Sequence, residues 1–352
     1  MKVLITIGEY TYPNPFVRTL ASGLRELGVD VVCSDTDFWN NWDIYDIIHI
    51  QWPQILVKKD MISIEPLRNH LEILKGSGKK IVVTCHNLHP HYSNNPVNTE
   101  AYSISYQYAD AIVHMGEYSH KLFKNKYPKA YNTIILHHIY DQLYDNTQFP
   151  DREYAINRLG LDPNYSYVLC MGAFRDNEER EIAQYACISL REKKVKILAP
   201  GFVEKSFSLK HPIASFKSYC RYCLTMHKYP NIICKGRMIP DDVMPYYYAA
   251  SDIALIQRKE ILNSGNLPMA LMMGKVVVGP NTGNVGTWLK DIDNPTFDIL
   301  DLTSIKSALE CAYQKSNQGF GKLNKEYAYN NLSTSTIANQ YVELYSDIYN
   351  RK

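Results

Sequence analysis

Residues 250–278 read ASDIALIQRKEILNSGNLPMALMMGKVVV, and this stretch carries the fold. Ile253–Ile256 is a short continuous apolar run with the length of a buried strand. Pro268–Met273 reads as a helix opening on a proline, where a missing N–H costs nothing. Val276–Val278 is a second β-branched run. Strand, helix and strand in this order make a parallel βαβ unit.

The same alternation extends upstream. Strands are expected at Tyr167–Met171, Val195–Leu198 and Ile232–Cys234. Helices are expected at Glu178–Arg191, Ser215–His227 and Pro240–Ala249. An independent series occupies the first half, with strands at Val3–Ile7, Val29–Cys33, Ile44–Ile50, Lys80–Cys85, Ala111–His114 and Thr133–His137. Helical spacing marks Phe16–Leu27 and Ile64–Leu74 between them. The polar stretch Tyr140–Asn164, with Pro150 and Pro163, separates the two series. Thr336–Tyr349 follows the cap-like Ser333-Thr-Ser335 and reads as a terminal helix. The expectation is an α/β protein with two Rossmann-like domains facing across a cleft: residues 1–150, residues 151–332, and a terminal helix, 333–352, crossing back to the first.

The bulk numbers agree with that reading and exclude others. A chain of 352 residues suits two domains. With 38 basic and 36 acidic side chains it has no general electrostatic reason to bind nucleic acid. Residues 1–150 are net −2 and the remainder net +4. No apolar run reaches the length of a membrane span, and the opening residues lack the pattern of a secretion signal, so a cytoplasmic protein with reduced cysteines is expected. Cys220, Cys223, His227 and Cys234 have the chemistry to hold zinc, but their spacing straddles an expected helix and strand, and no metal is expected. Asp35-Thr-Asp37 and Asp291-Ile-Asp293 match a D-x-D string and read as solvated acids.

In open α/β sheets ligands bind beyond the carboxyl ends of the strands. In the first half this rule nominates Gly8, Glu9, Tyr10, His49, Gln51, Trp52, His86, Asn87 and His89. In the second it nominates Gly172, Phe174, Arg175, Gly201, Arg237 and Arg258 through Asn266, with Arg180 close behind. Arginine suits phosphate because its planar fork makes paired, charge-assisted hydrogen bonds. Asn263-Ser-Gly-Asn266 precedes a helix, where unsatisfied backbone N–H groups attract anions. Together these features suggest a diphosphate ligand. Each alone has an ordinary structural reading, as an ion-paired arginine or a helix cap. His86, in a strand-end loop, suits hydrogen bonding or acid/base work, and Glu9 suits a base or a hydroxyl ligand. Neither a G-x-G-x-x-G after the first strand nor a P-loop is present.

Several segments resemble a known group. Pro13-Asn-Pro-Phe16, Asp46-Ile-Ile-His-Ile-Gln-Trp-Pro53 and Thr84-Cys-His-Asn87 are similar to motifs of the GT-B-fold glycosyltransferases, in particular the bacterial family-4-like (group 1) enzymes of surface polysaccharide synthesis. Gly172-Ala-Phe-Arg175 with Arg180 resembles their G-R-x-x-x-x-K pattern, whose cations bind the donor diphosphate. Gly236-Arg-Met-Ile-Pro-Asp-Asp242 resembles the loop beside the nucleotide base. Asn263-Ser-Gly-Asn-Leu267 resembles their N-S-G-S-L. The chain departs from the pattern where Ile261 and Met269 stand at the glutamate positions of E-x7-E.

The resemblance implies a hexosyltransferase-type enzyme. It would move a sugar from a nucleotide-diphosphate donor to a hydroxyl of a glycan or lipid-linked saccharide, retaining and metal-independent, with no cofactor beyond the co-substrate. Arg175, Arg180, Arg237, Met238, Arg258, Asn263, Ser264, Gly265 and Asn266 would hold the donor. Gln51, Trp52 and Asn87 would line the acceptor side, and His86 and Glu9 would be the catalytic candidates. Lys121, Lys124, Lys126 and Lys129 would meet an anionic membrane surface if the protein sits peripherally on the inner face. A nucleotide-sugar 2-epimerase of the same fold and a catalytically weak sugar-nucleotide-binding subunit stay open as alternatives.

Overall fold

Lys80–Cys85, an apolar run flanked by glycine and lysine upstream, forms a strand buried along nearly its whole length. Its neighbours assemble around it by the same logic. In this computed structural model, which describes residues 1–8, 14–58, 61–90, 95–144, 149–191, 193–203, 210–234 and 239–351, the chain forms two units. The first comprises Met1–Leu143 with Asn330–Lys352, the second Tyr144–Tyr329.

The first unit runs β1 (Lys2–Ile5), α1 (Pro15–Glu26), β2 (Asp30–Cys33), α2 (Asp35–Asn40), β3 (Ile47–Ile50), α3 (Glu65–Gly76), β4 (Lys80–Cys85), α4 (Pro96–Tyr108), β5 (Ala111–His114), α5 (Glu117–Lys126) and β6 (Tyr131–Ile134). Its strands pair in the order β2-β1-β3-β4-β5-β6, all parallel. The second unit runs α6 (Arg152–Arg158), β7 (Ser166–Leu169), α7 (Asn177–Ser189), β8 (Val195–Leu198), α8 (Pro212–Lys228), β9 (Ile232–Ile233), α9 (Met244–Ala250), β10 (Ile253–Leu255), α10 (Asn266–Met272), β11 (Val276–Pro280), α11 (Gly283–Asp291), β12 (Thr296–Phe297), α12 (Ser304–Asn317) and most of α13 (Phe320–Leu332), whose last three residues belong to the first unit. Its order is β12-β11-β10-β7-β8-β9, again all parallel.

The last helix, α14 (Thr334–Asn350), belongs to the first unit. Ser333 caps it by accepting the Thr336 N–H at 3.2 Å. Ile337, Ala338, Tyr341, Leu344, Tyr345 and Ile348 then point into the core that holds Val3, Ile5 and the inner face of α1. Each such apolar side chain contributes about 1.5–3 kcal/mol on burial. The two helices meet at Gly23, where a Cβ would lie 2.7 Å from Thr334 Cγ2. Glycine there permits a contact that alanine would obstruct.

Several elements differ from expectation. Asp35-Thr-Asp37 is the first turn of α2 instead of a polar loop. Ser34 caps it, and both acids sit at the positive end of the helix dipole. Asp37 also accepts the Tyr45 hydroxyl at 2.6 Å, which holds its carboxyl below the ordinary range. Asp293 follows α11 with φ of 54° and pairs with Lys315 at 2.5 Å. Helix α6 lies inside the stretch expected to be a linker. Helix α4 escapes sequence reading because its tyrosines and serines give a weak apolar stripe, although Val97, Ala101, Tyr102, Ile104 and Tyr106 are buried.

Candidate active site

In the second unit the chain builds outward from β7 to β8 and β9, then returns to the other side of β7 with β10. The strand order therefore reverses between β7 and β10, the position at which a doubly wound sheet opens a ligand crevice. The loop after β7 carries Gly172 with φ of +101°. A Cβ there would lie 3.4 Å from Arg258 Nη2 and 3.5 Å from Asn266 Nδ2. The loop is thus brought against the end of β10 and the start of α10.

Its carbonyls are held by side chains from those two segments. Met171 O accepts from Gln257 Nε2 at 3.2 Å and from Asn266 Nδ2 at 2.9 Å. Ala173 O accepts from Arg258 Nη1 at 3.0 Å. Arg258 also pairs with Glu179, and both side chains are almost wholly buried. Glu179 takes the Arg175 backbone N–H at 2.7 Å as well. Arg180 spreads its guanidinium over three carbonyls, Phe202 at 3.1 Å, Asp176 at 2.8 Å and Phe174 at 3.4 Å.

These placements redistribute the expected donor residues. Arg258 has a resident counter-charge, and Arg180 braces the loop from behind. Arg175 is exposed on the loop itself. Asn266 opens α10, two residues ahead of the proline expected to begin it, with Gly265 as its cap. Its backbone N–H meets Ser264 Oγ at 3.3 Å. Asn263 turns to Asn284, accepting at 2.8 Å. Arg237 and Met238 lie outside the described residues, as does Glu9. Glu179 and Gln257 were not nominated from sequence. Asp176-Asn-Glu-Glu179 carries the signal, a capping aspartate followed three residues on by glutamate.

The first unit reverses its order between β1 and β3. Beyond β3 and β4 a chain of hydrogen bonds runs through buried side chains. Tyr345 OH meets His49 Nδ1 at 2.6 Å. Thr84 Oγ1 lies 2.8 Å from His49 Nε2, and Gln51 Nε2 donates to that same nitrogen at 3.0 Å. Gln51 Oε1 then accepts from His86 Nε2 at 2.7 Å. Because Gln51 donates with its nitrogen and accepts with its oxygen, His86 carries its proton on Nε2.

Gln51 is fully buried, which leaves no side-chain surface to line an acceptor directly. Trp52 stacks on the His86 ring at 4.0 Å between centroids and 15° between planes, so one of its faces is already covered. Phe16 closes on the same imidazole edge-on at 4.9 Å. Burial, with His137, His49 and His138 nearby, pushes His86 well below the usual histidine range. It is a neutral ring at physiological pH. Asn87 is half-buried, and its carbonyl accepts the Tyr106 hydroxyl at 3.4 Å.

Among the described residues no three His, Cys, Asp or Glu side chains gather as metal ligands. Cys234 is buried with Sγ donating to Val203 O at 3.5 Å, whereas Cys223 is exposed on α8. No described helix is long and apolar enough to cross a membrane.

No protein-family model matches the chain, and no curated protein matches it by sequence. Solved structures do. Sucrose-phosphate synthase from Thermosynechococcus elongatus superposes with a TM-score of 0.71 at 14% identity, covering 99% of this chain and 98% of that one. Anabaena HepE in complex with UDP gives 0.70 at 12%, covering 99% and 100%. The catalytic domain of starch synthase IV from Arabidopsis thaliana, bound to ADP and acarbose, gives 0.69 at 14%, covering 99% of each chain. With likeness over the full length and two all-parallel, doubly wound sheets, the chain has the GT-B fold.

Proposed function

We propose that the chain is a glycosyltransferase that moves a sugar from a nucleotide-diphosphate donor to a hydroxyl of a glycan or lipid-linked saccharide. The observation that carries this reading is the β7–β10 reversal, where Arg175 stands exposed on a loop braced by Arg180 and Arg258. Neighbours of the same fold in complex with UDP, UDP-glucose and ADP support a nucleotide sugar as donor. Arg175 would neutralise the departing diphosphate, the main electrostatic demand of the step. Ser264 and Asn266 would add hydrogen bonds from the facing loop. The transfer is proposed as retaining and independent of metal.

In the first unit, His86 would take the acceptor hydroxyl. Its Nε2–H donates to Gln51 Oε1 at 2.7 Å, which fixes the orientation of the ring toward the acceptor. The free face of the acceptor sugar would pack near Trp52, which suits an apolar sugar face.

Incubation with a panel of nucleotide sugars, with and without saccharide acceptors, tests the proposal. Nucleoside diphosphate release that requires an acceptor and persists with a chelator is expected. Arg175→Ala is expected to weaken donor binding by about 1.5–3 kcal/mol, roughly ten- to a hundredfold in affinity. Calorimetric titration of the nucleoside diphosphate measures it, and unchanged affinity would remove Arg175 from the donor site. Ile261 and Met269, apolar where related enzymes carry acids, favour one second reading, a sugar-nucleotide-binding subunit. Binding without turnover for any acceptor would select it.

A further inference from the structure

The positive charge of this chain is concentrated in one place. Lys205–Pro240 holds seven basic and no acidic residues, while the rest holds 31 basic against 36 acidic. Helix α8 occupies the middle of that stretch. At 100° per residue Ile213, Phe216, Cys220 and Leu224 fall on one stripe. Ile213 is 72% exposed, Phe216 68% and Leu224 71%. Lys217, Arg221 and Lys228 line one edge of the stripe. Among the described residues no carboxylate pairs with any of these cations. The opposite side of the helix is the one that packs, with Ser218 buried and Tyr222 and Met226 against the core of the second unit.

The helix thus has two apolar sides, and only one is used within the unit. An outward apolar stripe with cations and no acids along one edge is the arrangement of a helix lying in a bilayer interface, where acyl chains take the apolar residues and anionic headgroups take the lysines and arginine. A protein partner needs no such absence of acids. Helix α5, which carries Lys121, Lys124 and Lys126, is a poorer match. Its Lys121 pairs with Glu117 at 3.7 Å, a carboxylate of the same helix.

We infer that α8 docks the second unit onto an anionic lipid surface. The inference does not depend on the transferase reading, because docking needs no nucleotide sugar. Co-sedimentation of the full chain with phosphatidylcholine vesicles, with and without phosphatidylglycerol, tests it. Binding that requires phosphatidylglycerol and weakens with salt is expected. The combined variant Lys217→Glu, Arg221→Glu, Lys228→Glu is expected to lose about a hundredfold in vesicle affinity. Phe216→Ser with Leu224→Ser is expected to abolish binding at any salt concentration. All five side chains lie away from the packed side, and circular dichroism checks that the fold persists. Absence of wild-type binding, or both variants binding as the wild type does, overturns the inference. Self-association that the Phe216→Ser, Leu224→Ser variant abolishes, without vesicle binding, also overturns it and gives the face to a second copy.

Discussion

Replacing Arg258 by alanine is expected to destabilise the second unit by about 3–5 kcal/mol, since removing one partner leaves the other charge buried and unpaired. Glu179 is 3% exposed, so water cannot take over from the lost guanidinium. The Ala173 carbonyl loses its donor in the same change. The cost belongs to the broken pair and not to ion pairing as such. Arg258→Met combined with Glu179→Leu removes both charges and is expected to recover most of the loss. Urea denaturation of the wild type, the single variant and the double variant measures both effects. A single variant as stable as the wild type would mean that Glu179 finds another partner or a proton. The comparison also separates scaffold from ligand contact, because Arg175→Ala is expected to weaken donor binding while leaving the urea midpoint in place.

Acidification from pH 6.5 to 5 is expected to cost the first unit about 5 kcal/mol. Burial pushes His49 and His137 down to about 3 and His114 down to about 4. In the unfolded chain each returns to the ordinary 6.5. Between those values the unfolded chain binds protons that the folded chain excludes. Stability is therefore fully present above pH 6.5 and falls as pH drops toward the folded values. Each histidine contributes about 1.4 kcal/mol per pH unit well below 6.5 and about half that at 6.5, where the unfolded imidazole is half protonated, so the three together lose about 5 kcal/mol across 1.5 units. His86 and His138 shift in the same direction. The loss is comparable to the whole stability of an ordinary domain. Urea midpoints at pH 7, 6 and 5 at fixed ionic strength check it, and a midpoint flat across that range would show that the cluster takes up protons without unfolding.

The strands were largely legible in the sequence, because each is a local apolar run. Val195–Leu198, Lys80–Cys85 and Ala111–His114 form with the bounds their composition suggests. The α/β alternation followed from them, and so did the nomination of strand-end residues. Helices were less legible where their stripe was weak, as in α4, or where a cap and two acids resembled a loop, as in α2. In the candidate site the residue types were legible but their engagements were not. Arg175, Arg180 and Arg258 look alike as arginines near strand ends. In the structure the first is exposed, the second clamps carbonyls, and the third neutralises a buried glutamate.

What the sequence alone determined is therefore the set of elements and the chemistry available at their ends, since hydrophobic period and turn residues act over a few positions. Strand order and the packing of helices on the sheets decided the rest. It brings Arg258 to Glu179 across 79 residues and His49 to Tyr345 across 296. Whether a charge is spent inside the fold or offered to a ligand depends on such distant partners and on the water they exclude. Local pattern does not encode either, and only the assembled sheets and helices settle it.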